Sequence, residues 1–303
     1  MTTIPPFPPA AQPALERLLT RAEALLARLE AQWPPVLPEP DWQTTLACRW
    51  RSSGRAGSGT LFPVPILHPI RLSDLTGIDD QKARLVANTR QFVAGRPANN
   101  ALLTGARGSG KSSLVKALLN EFAGQGLRVI EVDKEDLIDL ADIVARLEGR
   151  AEKFLIFCDD LSFEAGENAY KALKSVLDGS IAAPPENVLI YATSNRRHLI
   201  PEYFAENLQG APAENGEIHP GEAVEEKISL SERFGLWVSF YPFDQDGYLD
   251  IVAHWLRSFG VSGADIAATR QDALNWALGR GSRSGRVAWQ FARDYAGREK
   301  QNA

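Results

Sequence analysis

The sequence predicts a three-layer α/β fold on a parallel sheet, with a small all-α lid at its C-terminal end and a helical and extended region at its N-terminal end. Three observations carry this. From Leu72 to Pro242, short apolar runs alternate with helical stretches. A glycine-rich loop joins the first of these runs to the helix behind it. After Pro242 the strand signals stop and three helical stretches follow. The expected divisions are residues 1–40 (helix and proline-rich linker), 41–70 (extended region), 71–242 (α/β core) and 243–303 (helical lid).

Taken in order, residues 13–32 read as a helix, because Leu15, Leu18, Leu19, Ala22, Leu25, Leu26 and Leu29 recur at spacings of three and four. Two readings of this stripe stand: a coiled-coil or partner-binding helix, or a helix packed on its own domain. Trp33-Pro-Pro-Val-Leu-Pro-Glu-Pro40 ends the helix as a stiff linker. Next, Arg49-Trp50-Arg51 has the composition of a nucleic-acid contact, but a solvated strand face is the preferred reading. Strand runs follow at residues 100–104, 128–132, 154–158, 188–193 and 236–240. The lid helices are expected near 245–259, 264–278 and 284–297, separated by glycines.

Composition narrows the function. Hydrophobic residues make up 44% and charged residues 23%, the balance of an ordinary globular chain. No run approaches the roughly 18 apolar residues of a membrane span, and the start of the chain lacks a signal-peptide pattern. Cys48 and Cys158 are far apart, which points to a reducing, cytoplasmic setting rather than a disulfide framework. The four histidines show no metal-ligand spacing. Net charge is −5, and seven glutamates with no Lys or Arg fall between Pro201 and Glu226. That segment repels phosphate and reads as a partner-docking or mobile loop. The arginines from Arg280 onward are the better candidates to meet it.

The central motif is Gly105-Ala106-Arg107-Gly108-Ser109-Gly110-Lys111-Ser112, followed by Ser113. It fits GxxxxGK[ST] with a strand before it and a helix after it, the context of a P-loop. Glycines let successive backbone N–H groups curl inward around phosphate oxygens, and the helix adds its positive end. Lys111 is placed to reach the β- and γ-phosphates of ATP, and Ser112 to ligate Mg²⁺. The third strand ends in Asp159-Asp160. Asp159 sits where a Walker-B carboxylate holds the metal, and Asp160 where a group orients the attacking water, with Glu164 as its rival. The fourth strand ends at Asn195, which is either a turn former or an amide near the γ-phosphate.

In that order, the P-loop, the acidic strand end, Asn195, Leu230-Ser-Glu-Arg233-Phe-Gly235 and Gly281-Ser-Arg283 resemble an AAA+ ATPase. The resemblance makes Asn195 sensor 1, Arg233 an arginine finger acting on a neighbouring subunit, and Arg283 sensor 2, with Arg286 as the alternative. It makes Leu72-Ser-Asp-Leu-Thr-Gly77-Ile78 the segment that wraps the adenine, which adds Gly77 and Ile78 to the nucleotide contacts. Pro97-Ala-Asn-Asn100, Cys158-Asp-Asp-Leu-Ser-Phe-Glu164, Ala192-Thr-Ser-Asn-Arg-Arg197 and Ile218-His-Pro-Gly-Glu222 are similar, more narrowly, to the bacterial AAA+ family called domain of unknown function 815. Two departures matter. Asp160 stands where most of the superfamily has Glu, which implies slow, switch-like turnover. Residues 134–140 lack the aromatic–apolar–Gly pore loop of protein-threading machines.

The expected activity is ATP hydrolysis with magnesium by a homo-oligomer that forms or is stabilised with ATP and acts on an unknown protein client. Two alternatives are an ATP-gated binding module with little turnover and a nucleic-acid-directed loader. No membrane partner is expected.

Overall fold

The computed structural model describes residues 12–32, 39–55, 58–162, 168–179, 185–195 and 232–299. The acidic segment 201–226 and Glu164 lie outside them. The chain divides into two compact units, residues 1–39 and 40–303. The first unit contains α1 (Gln12–Gln32), a helix of 21 residues.

The second unit is built on one sheet of seven strands: β1 (Ala47–Arg55), β2 (Ser58–Pro63), β3 (Ala101–Gly105), β4 (Leu127–Glu131), β5 (Lys153–Cys158), β6 (Val188–Ser194) and β7 (Leu236–Phe240). Their order is β2-β1-β4-β5-β6-β3-β7. Every neighbouring pair is parallel except the β1–β2 hairpin. The five expected strands therefore form one contiguous run, β4-β5-β6-β3-β7, and the extended region adds two more beside β4.

Both faces of the sheet are covered, which is why its strands read as continuous apolar runs rather than as alternating ones. Leu102, Ile130, Ile156 and Ile190 point to one face, where α4 (Leu140–Leu147) and α5 (Asn168–Asp178) supply Ile143, Leu147, Tyr170 and Leu173. Leu103, Val129, Leu155 and Leu189 point to the other, against α2 (Asp79–Val93) and α3 (Lys111–Phe122), which supply Leu85, Phe92, Leu114 and Leu118. A buried polar group is satisfied inside this second layer. Asn88 donates to the Tyr191 hydroxyl at 2.9 Å and to the Asn99 carbonyl at 2.8 Å, while its Oδ1 accepts from the Asn99 N–H.

The hairpin resolves the Arg49-Trp50-Arg51 question. Trp50 is fully buried and its Nε1 donates to Asp139 at 3.1 Å. The two arginines take the opposite face: Arg49 pairs with Glu131 at 2.8 Å, and Arg51 lies over the Phe62 ring. A tryptophan in this position offers no stacking surface to a base.

After β7 come α6 (Gln245–Ser258), α7 (Gly263–Ala268), α8 (Arg270–Arg280) and α9 (Gly285–Glu299). The middle expected helix is thus two, joined at Thr269. These helices close over their own core of Tyr248, Ile251, Val252, Leu256, Ala288 and Phe291. Among the described residues no helix is long and apolar enough to cross a membrane.

Candidate active site

Parallel strands deliver their C-terminal ends to one edge of the sheet, and a strand-order switch there opens a crevice. Here β3, β5 and β6 end side by side. A cavity of about 580 Å³ lies over them, roofed by the lid.

The glycine loop forms its floor. Gly105, Gly108 and Gly110 have φ of 128°, 75° and 100°, a region that suits glycine. At Gly105 close packing adds a second demand, because a Cβ there would lie 1.9 Å from the Phe240 carbonyl oxygen. The loop leads into α3, whose first residues Lys111, Ser112 and Ser113 line the cavity together with Arg107, Gly108, Ser109 and Gly110. Gly105 and Ala106 lie beneath this lining, where the Ala106 N–H donates to Phe240.

Lys111 is buried and donates to the carbonyls of Gly105 and Ala106 at 2.8 and 2.9 Å and to Asn195 Oδ1 at 3.0 Å. Burial lowers its pKa from the ordinary lysine value, while the nearby Asp159 and Asp160 oppose that shift. A desolvated ammonium held by neutral carbonyls gains from an anion beside it.

Asp159 and Asp160 follow β5 and face different partners. Asp159 Oδ1 accepts from Ser112 Oγ at 2.6 Å and from Thr193 Oγ1 at 2.5 Å. Asp160 turns away by adopting φ 54°, the left-handed region that Asp tolerates better than most residues. Its N–H donates to Thr193 Oγ1 at 2.9 Å, and its carboxylate accepts from Asn195 Nδ2 at 2.5 Å. Asn195 therefore bridges Lys111 and Asp160 with the two ends of one amide. Spacing alone left Asn195 as either a turn former or a site residue, and the pairing of β6 beside β3 puts it over the loop.

Ser112 and Asp159 offer one hydroxyl and one carboxylate. Among the described residues no group of three or more His, Cys, Asp or Glu converges as a metal cage. Two hard oxygen donors at the foot of a phosphate loop fit magnesium, which keeps waters and takes substrate phosphate oxygens rather than an all-protein cage.

The opposite wall is apolar. Ile70, Leu75 and Ile78 come from the segment before α2; Phe243, Ile251 and Trp255 come from the start of the lid. Gly77 stands behind this wall, packed on Phe243. His254 Nε2 lies 3.3 Å from Asp74 Oδ1 and ties α6 to the turn at 72–74.

The lid also touches the loop directly. The Gly285 N–H donates to the Gly108 carbonyl at 2.9 Å, and a Cβ on Gly108 would meet Ser284 at 2.8 Å. Ser284 caps α9 by accepting from the Val287 N–H. Two residues on, Arg286 lines the cavity, as do Trp289 and Gln290. Arg283 is exposed and is not among the lining residues. Arg233 also lies outside the cavity lining. It precedes β7, the outer strand, and pairs with Asp178 at the end of α5.

Sequence reasoning missed Thr193, Phe243, Ile251, Trp255, Trp289 and Gln290. Thr193 had a readable signal, since it ends the apolar run just before Asn195. The lid residues had none, because Ile251 and Trp255 at i, i+4 carry the same spacing as a helix's core face.

A family profile described as "Protein of unknown function (DUF815)" matches residues 43–299. The replication factor C large subunit of Thermofilum pendens is 35% identical over 82 residues, covering 27% of this chain and 19% of that protein. The Thermotoga maritima RuvB Holliday junction branch migration motor superposes with a TM-score of 0.46 at 19% identity, covering 74% of this chain and 63% of that one. The Aeropyrum pernix Orc1 protein, solved in complex with DNA, gives 0.46 at 14% identity, covering 77% and 65%. The chain spans less than two thirds of each of these relatives.

Proposed function

Since the chain belongs to the DUF815 family, we propose that it is an AAA+ ATPase-like protein that binds ATP with magnesium and hydrolyses it slowly, as an oligomeric switch acting on a protein client. The observation that carries this reading is the convergence of Lys111, Ser112, Asp159, Asp160, Asn195 and Arg286 on one cavity from four separate elements.

Each residue has a role that its position supports. Backbone N–H groups of the loop and the first turn of α3 hold the phosphates. Lys111 exchanges its carbonyl partners for phosphate oxygens, gaining a charged acceptor in a dry place. Ser112 and Asp159 would hold magnesium, which would supply charge to screen the phosphate oxygens. Asp160, positioned by Asn195, accepts a hydrogen bond from the attacking water. Its carboxylate already takes the Asn195 amide and reaches one methylene less far than Glu, which supports slow turnover. Arg286 on the lid faces the same cavity and takes the sensor position in preference to Arg283.

Arg233, which precedes the sheet's outer strand, serves as an arginine finger for a neighbouring subunit; a guanidinium beside a γ-phosphate accelerates phosphoryl transfer by about 10³-fold or more. Complementation tests this. Arg233→Ala binds ATP without hydrolysing it, and mixing it with Lys111→Ala, once co-assembly is shown, restores part of the activity. Full turnover by strictly monomeric protein overturns the oligomeric reading.

A further inference from the structure

Building on the ATPase reading, we infer that Thr193, at the end of β6, is a positioning residue that holds Asp160 where its carboxylate can meet the attacking water. β5 and β6 run in parallel register up to the pair Cys158 and Ala192. Beyond that pair β6 advances one residue, to Thr193. The neighbouring chain advances three before its next backbone bond, from the Leu161 N–H to the Thr193 carbonyl at 2.7 Å. Asp159 and Asp160 occupy that detour.

Thr193 is 1% exposed, and its hydroxyl serves both acids. An N–H can only donate and a carboxylate oxygen accepts, so the directions of its two bonds are fixed. Oγ1 gives its single proton to Asp159 Oδ1 at 2.5 Å and accepts the Asp160 N–H at 2.9 Å. One residue therefore takes, on its hydroxyl and its carbonyl, the N–H groups on either side of the Asp160 Cα. These belong to the two peptide planes whose relative rotation sets φ and ψ of Asp160. The resulting φ of 54° is a region that a residue with a Cβ occupies only when its surroundings hold it. In it, the carboxylate accepts from Asn195 Nδ2 at 2.5 Å. Without the hydroxyl the Asp160 N–H loses its acceptor, its peptide plane is released, and the carboxylate moves with it. Asp159 keeps Ser112 as a partner, so the loss falls on Asp160.

The test uses the full chain. Thr193→Val keeps the shape of the side chain and removes the hydroxyl; Thr193→Ser keeps the hydroxyl. At saturating magnesium, Thr193→Val lowers kcat about tenfold or more with KM for ATP within about twofold, and Thr193→Ser stays within about threefold of the parent. In nucleotide-free protein, amide hydrogen exchange at Asp160, followed by NMR, quickens about tenfold in Thr193→Val and not in Thr193→Ser. If circular dichroism shows the valine variant unfolded, Thr193→Ala is read in the same way. A valine variant with the parent's kcat, a loss that more magnesium repairs, a serine variant no better than valine, or unchanged exchange would each overturn the inference alone. A parent that binds ATP without turnover, or binds none, overturns the ATPase reading and this inference with it.

Discussion

The cavity has two walls of different origin. One, the proposed phosphate wall, is two strand ends, a loop and a helix start: Arg107 to Ser113, Asp159–Asp160 and Asn195. The apolar wall is assembled from residues 70–78 and from Phe243, Ile251 and Trp255, some 170 positions later in the chain. Charge chemistry demands particular residue types at fixed spacing, because each donor must meet one phosphate oxygen. Burying a flat apolar surface asks only for sufficient apolar area, which many side chains from many segments satisfy.

The two walls make different predictions. The largest effect is expected on the first. Lys111→Ala removes the cation and weakens ATP binding by about 100-fold, roughly one charged hydrogen bond at 3 kcal/mol. Calorimetric titration with ATP checks this, provided that circular dichroism shows the variant folded. Equal affinity in a folded variant removes the assignment of the phosphate wall.

Next in size is the split between the two adjacent acids. Asp159→Ala strips Ser112 and Thr193 of their shared acceptor and abolishes the magnesium dependence of binding. Asp160→Asn keeps binding within about twofold while turnover falls by about 10². Turnover at the parent rate in Asp160→Asn would shift the water-orienting role to Glu164.

Smaller effects come from the apolar wall. Trp255→Ala lowers ATP affinity by about tenfold, the cost of roughly 1.4 kcal/mol of lost burial. Inorganic triphosphate, which has no base, binds this variant and the parent equally. An equal loss for both ligands would show that Trp255 shapes the whole cavity rather than one wall of it.

The smallest effect joins the walls. Gly108→Ala places a Cβ against Ser284 in a left-handed backbone, costing about 1–2 kcal/mol of stability. Thermal unfolding should show this as a lower midpoint, with the lid helices more open to protease than the sheet. A midpoint equal to that of the parent would mean that the lid yields to the added methyl group without loss.

Legibility followed the same division. The inner strands were readable because burial on both faces makes each one a continuous apolar run, as in Phe154–Cys158. The β1–β2 hairpin was less so. Prolines at 63 and 65 obscured its pattern, and Trp50 looked available because its arginine neighbours alternate onto the other face. The acidic pair was visible in the sequence, but the opposite orientation of its two members depends on one backbone angle, φ 54° at Asp160. Nor could spacing choose between Arg283 and Arg286. The register of α9 puts Arg286 on the cavity lining and leaves Arg283 off it, with the Gly285–Gly108 hydrogen bond seating the first turn of the helix on the loop.

By itself, the sequence determined the chemistry of the phosphate wall, because a loop that curls around an anion needs glycine, lysine and serine at consecutive positions. It also determined α1's apolar stripe, since helical period alone arranges it. Only the tertiary structure decided which side chains complete the site. Asn195 reaches Lys111 because β6 pairs with β3, Arg286 enters because the lid closes on Gly108, and the apolar wall exists because two distant segments are brought face to face. Each of these contacts spans tens to hundreds of residues, and its position is set by how sheet and lid pack rather than by any local pattern.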